Sequence, residues 1–221
     1  FLDRLCALLW PLYARRLVEF RRAVRHRTML LRQGASLGAL SKAMAPLASW
    51  LWGARASAVD ALSEGLAPLS ELLPSPIGLA HVRGGAGRAK DPLEDWWESL
   101  DARREKERLC CSPLVGPHRD DLAVRCGERP AASCLSRGQK RRASAALMIA
   151  AGRCVERRLR RSPILLLDEI ASELDAAGRR ITVDALRATG WQVVATAAEE
   201  VVPDWPGLTL RVDGGAVLPL P

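Results

Sequence analysis

A chain of 221 residues with 48% hydrophobic side chains is long and apolar enough to bury the core of one or two domains, which excludes a disordered chain. Its formal net charge of +8 favours nucleic acid or an anionic membrane as a partner, although many basic surfaces are simply solvated. No apolar run reaches the roughly 18 residues of a membrane span, no signal-peptide pattern is present, and the six cysteines form no CxxC or zinc spacing, so free thiols in a reducing cytoplasm are expected.

In chain order, residues 1–32 read as one helix or two in line. Tyr13, Leu17, Phe20, Val24, Thr28 and Leu31 recur at spacings of three and four, which gives one mostly apolar face. Trp10-Pro11 marks a kink or a start. Eight arginines in this stretch stand against Asp3 and Glu19, a net charge of +6. Gly34 suits a helix end, and residues 36–72 form a second helical stretch that Pro46 should start or break. Leu73–Pro76 is a stop, Ile77–Val82 a short strand, and Gly84–Gly87 a turn. Residues 92–109 return to helix and carry the pair Trp96-Trp97.

From Cys110 onwards strand and helix alternate. Strands are expected at 121–126, 163–168, 191–196 and 207–212, and helices at 137–159 and 176–189. The continuous apolar run Ile164–Leu167 suits a strand buried on both faces of a parallel sheet. The fold class is therefore α/β, with a helical part over 1–109 and half of an α/β domain over 110–221.

Two motifs carry chemistry. Ile164-Leu165-Leu166-Leu167-Asp168-Glu169 is an apolar strand ending in two carboxylates, placed where ligands of open α/β sheets bind. It matches a Walker B motif: Asp168 would hold Mg²⁺ and Glu169 would orient the attacking water. The plainer reading is a strand followed by an acidic turn. The second motif is Leu135-Ser136-Arg137-Gly138-Gln139-Lys140-Arg141. It starts a helix whose free N–H groups and positive end suit a phosphate, with Gly138 allowing close approach and Ser136 adding a hydroxyl. Read structurally, Ser136 and Gln139 form a capping box, and both readings can hold together.

The second motif resembles the signature of ABC-type ATPases, with Arg137 in place of the usual first glycine. Ser172-Glu173-Leu174-Asp175 resembles the D-loop of the same class, although Ser172 or Asp175 could equally cap the helix near 176. Thr196, ending a strand, stands where such heads place a γ-phosphate sensor. Gly116-Pro117-His118-Arg119-Asp120-Asp121-Leu122, together with the opening Phe1-Leu2-Asp3 and its arginine-rich helix, is similar to the RecF family. The resemblance covers essentially the whole chain, weakly over 36–109.

That resemblance implies a partial ABC-ATPase head, a P-loop-NTPase-like sheet without its N-terminal strands, joined to a helical arm or lid. It implies ATP and Mg²⁺ as cofactors, held by Ser136, Arg137, Gly138, Gln139, Asp175 and Thr196, with Asp168 on the metal and Glu169 catalytic. It implies an ATP-dependent homodimer that clamps single-stranded or gapped DNA in replication and recombinational repair, with other recombination mediator proteins as further partners and no membrane. Arg15, Arg22, Arg25, His118 and Arg119 are the candidate DNA contacts, and the stretch 137–161, nine Lys/Arg against Glu156, is a second basic surface.

The family's phosphate loop, G-x-x-x-x-G-K-[ST], is not found. Gly84–Lys90 is superficially similar, but Lys90 is followed by Asp91-Pro92. The loop is expected upstream of Phe1, so this chain alone should bind ATP poorly and its sheet should expose apolar faces. The rival readings are a non-catalytic DNA- or protein-binding remnant and a chromosome-maintenance-type ATPase head.

Overall fold

In a computed structural model that describes residues 1–170, 174–198, 202 and 205–219, the chain forms two compact units. One is Phe1–Ala61 with Gly78–Val124, the other Leu62–Ile77 with Arg125–Pro221.

The first unit begins with α1 (Leu2–Leu9) and α2 (Tyr13–Arg32), two helices separated at Trp10, whose extended backbone before Pro11 ends the first. The predicted face of α2 buries Tyr13, Leu17, Phe20 and Leu31, and also Arg27. Helix α3 (Gly38–Leu66) runs through Pro46 without a break, contrary to expectation. Met44, Ala45, Ala48, Leu51 and Trp52 around the proline are all buried, and that packing outweighs the hydrogen bond the proline removes.

The core of this unit is aromatic. Trp96 packs edge-on against Trp52 (ring centroids 6.2 Å apart) and Phe20 (6.3 Å). Each such ring contributes roughly 1.5–3 kcal/mol by burial. Trp96 lies on α4 (Pro92–Cys110), which starts as its sequence predicts: Asp91 accepts from the N–H groups of Leu93 and Glu94, with Pro92 in the first turn. Strand β1 (Ile77–Val82) neighbours β2 (Asp121–Cys126).

In the second unit a 3-10 segment, Ala67–Leu72, packs against α6 (Arg137–Leu159) and α7 (Ala176–Arg187). Before them come β3 (Arg129–Pro130) and the single turn α5 (Ala131–Cys134). Strands β4 (Ile164–Leu167) and β5 (Gln192–Ala195) pair in parallel, Leu165 opposite Val193 and Leu167 opposite Ala195. Trp191, just before β5, locks this pair to α6. Its indole N–H donates to Glu156 at 3.0 Å, and its ring lies where a Cβ on Gly152 would come within 2.5 Å, so only glycine fits there.

Strand β4 is not buried on both faces as its composition suggests. Leu165 is 6% exposed, but Ile164 and Leu166 are 62% and 71% exposed, and Val194 of β5 is 50% exposed. Among the described residues this sheet has two strands, covered on one face, and the open face matches the expected exposure of apolar surface. The predicted strand at 207–212 is observed as β6 (Leu210–Asp213), paired antiparallel with an unforeseen β7 (Ala216–Pro219). The two-residue turn Gly214-Gly215, both at positive φ, was the available sequence signal for that hairpin.

Candidate functional site

At the C-terminal end of β4 the chain turns sharply. Glu169 has φ 56°, a left-handed conformation that costs a non-glycine residue about 1 kcal/mol and is common where function dictates the backbone. The end of β5 holds that turn in place. Thr196 donates its N–H to the Leu167 carbonyl at 2.9 Å, and its own carbonyl accepts from Ile170 N–H at 2.9 Å. The Thr196 hydroxyl donates to Asp168 Oδ1 at 2.5 Å and accepts from Glu169 N–H at 3.0 Å. Asp168, Glu169 and Thr196, three of the predicted site residues, are thus brought together, all exposed.

Helix α6 supplies the other side. Ser136 is its N-cap, and the capping box is formed in both directions: Gln139 N–H donates to Ser136 Oγ (3.3 Å) and Ser136 N–H to Gln139 Oε1 (2.9 Å). Ser136 and Gln139 are thereby partly occupied in capping, while Gly138 N–H has no partner among the described residues. One turn on, Arg141 donates to the backbone carbonyls of Asp168 (2.6 Å) and Glu169. A cavity of about 360 Å³ is lined by Arg137, Lys140 and Arg141 of α6 and by Asp168. Arg141 was not singled out from sequence, yet it ties helix α6 to the turn after β4.

Asp175 caps α7 through Gly178 N–H at 2.7 Å, the structural alternative foreseen for it. Ser172 and Glu173 of the D-loop-like string lie outside the described residues.

The candidate DNA contacts lie in the first unit and are not alike. Arg22 and Arg25 are exposed, and no ion pair engages them among the described residues. Arg15 pairs with Glu19 at 3.0 Å on the surface. His118 and Arg119 both turn inward to the Pro113 carbonyl, at 3.2 Å for His118 Nε2 and Arg119 Nη2. Burial holds the His118 imidazole below its ordinary pKa, partly offset by Pro113. The glycine turn is also engaged locally. Ala86 and Gly87 N–H donate to Ser99 Oγ, and Arg88 and Ala89 N–H to Glu98.

The residue of the Gly-Pro-His-Arg string with the most partners is Asp120, which sequence reading passed over. It accepts from Arg55, from Trp52 Nε1 (2.8 Å) and from Gly84 N–H (2.7 Å), and meets His81 Nε2 at 2.8 Å. Burial would raise its carboxyl, but the His81 hydrogen bond and the Arg55 charge outweigh it and hold the pKa below the usual value. Arg55 also reaches Asp3 (2.7 Å) and Tyr13 (2.8 Å). A second buried pair joins Arg27 to Glu107 at 2.6 Å. Both arginines stand at helical spacing within apolar faces, Arg27 between Val24 and Leu31, Arg55 between Trp52 and Val59. That spacing was the available signal.

A parallel strand pair with two carboxylates at its C-terminal edge, entered through a capped basic helix, defines the C-terminal part of an ABC-type ATPase head. A DNA replication and repair protein RecF from Deinococcus deserti is 34% identical over 225 residues, spanning 100% of this chain and 60% of that protein. The chain belongs to the RecF family and corresponds to its C-terminal portion. RecF of Shewanella baltica is 32% identical over 193 residues (86% of this chain, 52% of that one) and RecF of Brucella abortus 32% over 216 residues (92% and 56%). The chain thus spans a little over half the length of the curated relatives it matches. A solved structure of the recombination mediator protein RecF-ATP in the RecFOR pathway shares the fold, with a TM-score of 0.80 at 20% identity, over 100% of this chain and 61% of that one. No family model matches the chain. Among the described residues no helix is long and apolar enough to cross a membrane.

Proposed function

We propose that this chain is the signature- and Walker-B-bearing part of a cytoplasmic ATPase that clamps single-stranded or gapped DNA during replication and recombinational repair. Residues 1–109 would form its helical arm and 110–221 its part of the ATPase head. The observation that carries the reading is the Thr196 hydroxyl bridging Asp168 and the Glu169 backbone, since it sets two exposed carboxylates and a sensor at one sheet edge.

The residues present fit a magnesium nucleotide. Asp168 offers a hard oxygen donor with one carboxylate oxygen beyond its bond to Thr196, as Mg²⁺ requires. Gly138 N–H, the Ser136 hydroxyl and the cations Arg137 and Lys140 suit phosphate oxygens. Bound Mg²⁺ would supply neutralisation of the charge that develops on the transferred phosphoryl group. Glu169 polarises the attacking water and accepts its proton. Thr196 keeps Asp168 oriented and senses the terminal phosphate. In a homodimer Ser136 and Gly138 of one subunit close on the nucleotide of the other, with Asp175 in the crossing D-loop. Arg15, Arg22 and Arg25 are proposed to face DNA, with other recombination mediators as further partners, whereas His118 and Arg119 are spent on the Pro113 carbonyl.

The test begins with the coding DNA upstream of the Phe1 codon. An in-frame strand and G-x-x-x-x-G-K-[ST] within about 120 codons supports the reading. The joined chain should then hydrolyse ATP, and Glu169→Gln should lower kcat by about 100-fold or more while leaving ATP binding intact. An upstream frame without the loop, or hydrolysis untouched by Glu169→Gln, removes the catalytic roles of Asp168 and Glu169.

A further inference from the structure

The two adjacent tryptophans of α4 have opposite environments. Trp96 is fully buried, whereas Trp97 is 41% exposed and Leu93, one turn before it, is 43% exposed. Both line an open groove of about 630 Å³ in the first unit, whose other walls are Arg16 of α2 and Lys42, Pro46 and Trp50 of α3. The Arg16 guanidinium lies over the Trp50 ring at 4.3 Å. A contact of the cation with the ring face uses none of the guanidinium N–H groups. Neither Arg16 nor Lys42 has an ion-pair partner among the described residues. Of the acidic side chains near Trp97 on α4, Asp101 is engaged with Arg104 at 2.6 Å and Glu98 with the amides of Arg88 and Ala89, while Glu94 is exposed and does not line the groove.

The groove therefore offers a broad aromatic face beside two unneutralised cations. An apolar helix would leave Arg16 and Lys42 uncompensated, and an acidic peptide would leave the Trp97 face open to water. A nucleotide chain satisfies both, with a flat base on the ring and phosphates on the cations. Its size suits one or two nucleotide units, within the usual range for small-ligand sites.

We infer that this groove is a stacking site for an unpaired base of single-stranded DNA. Trp97 meets the base face, and Arg16 and Lys42 hold the flanking phosphates. The inference rests on the DNA-binding reading above and adds to it a residue-level site that recognises bases without reading their sequence.

The experiment measures anisotropy of labelled oligothymidylate and of an abasic chain of equal length with the full chain, at low and moderate salt. The unmodified protein should bind oligothymidylate about tenfold tighter than the abasic chain. Trp97→Ala should abolish that preference while leaving abasic binding unchanged. Trp97→Phe should restore most of it, and Trp97→Leu, apolar but without a π face, should not. Lys42→Ala should weaken both ligands alike and flatten the salt dependence. Equal affinity for the two ligands overturns the stacking site but leaves a salt-dependent DNA contact standing. A base preference that survives Trp97→Ala also overturns it. Absence of salt-dependent binding to either ligand removes the DNA reading together with the site. Sedimentation showing self-association that Trp97→Ala abolishes would instead assign the groove to a second copy of this chain.

Discussion

The Thr196 hydroxyl donates to Asp168 at 2.5 Å and accepts the Glu169 N–H at 3.0 Å, so one side chain just after β5 orients the Asp168 carboxylate and holds the Glu169 backbone in the turn after β4. Two parallel strands alone would leave the turn after β4 loosely specified, and Glu169 in addition occupies a left-handed conformation. Thr196→Val keeps the volume and removes the bridge. It should lower the stability of the second unit by about 1 kcal/mol, with Thr196→Ser close to the unmodified chain, as read from urea unfolding followed by hydrogen exchange of the β4 and β5 amides. An unchanged midpoint in Thr196→Val would show that the backbone bonds and the Arg141 side chain hold the turn without the hydroxyl.

The Arg27–Glu107 pair tests the core of the first unit. Its side chains are 4% and 1% exposed, and the remaining valences are filled by Ser41, which accepts from Arg27 at 2.7 Å, and by Leu114 N–H, which donates to Glu107 at 2.7 Å. Arg27→Met or Glu107→Gln alone should cost about 3–5 kcal/mol, because each leaves a buried charge without its counterpart. The double variant Arg27→Met/Glu107→Met should cost clearly less than the sum of the two single methionine variants, and a thermodynamic cycle on thermal unfolding measures the difference.

Acid should unfold the first unit through Asp120 and Asp3. In Asp3, as in Asp120, burial acts to raise the pKa, but hydrogen bonds from Tyr13 and Arg55 and the Arg55 charge bring it below the ordinary value. A carboxylate with a depressed folded pKa contributes stability that is fully present above its unfolded value near 4 and is lost as pH falls through the folded value. Stability should therefore decline from about pH 4 downward. Asp120→Asn should be destabilised at neutral pH and show a shallower decline in acid, as measured by circular dichroism across pH.

His118 should add a separate dependence at milder pH. Burial lowers its folded pKa, so the unfolded chain binds the proton more readily and stability falls as pH drops below about 6.5, the unfolded value. Its Nδ1 is buried without a partner among the described residues, and its ring lies 6.0 Å from Phe20. His118→Phe should flatten the stability profile between about pH 5 and 7, and denaturant midpoints at each pH check it. A slope that persists in the variant would assign the effect to another group.

Much of the local structure was legible before any coordinates. Helix α6 spans 137–159 as its pattern implied, because Ser136 and Gln139 encode a capping box and an uninterrupted run of helix formers follows. The parallel relation of β4 and β5 followed from the alternation of strand and helix. The Walker-B-like and signature-like strings named the acids and the helix that line the candidate site. These features depend on neighbours within a few residues, and such neighbours are what a sequence displays.

The tertiary structure decided which of those residues meet. Asp120 looked like a spacer in its string but gathers partners from Trp52, Arg55, His81 and Gly84, up to 68 positions away. Arg27 meets Glu107 across 80 positions. Trp96 and Trp97 are the same residue type side by side, yet only packing determined that one is core and the other lines a groove. Local hydrogen bonding sets secondary structure from residues close in sequence, whereas the pairing of buried charges is set by which helices cross, and that depends on how the whole chain minimises exposed apolar area and unpaired polar groups at once.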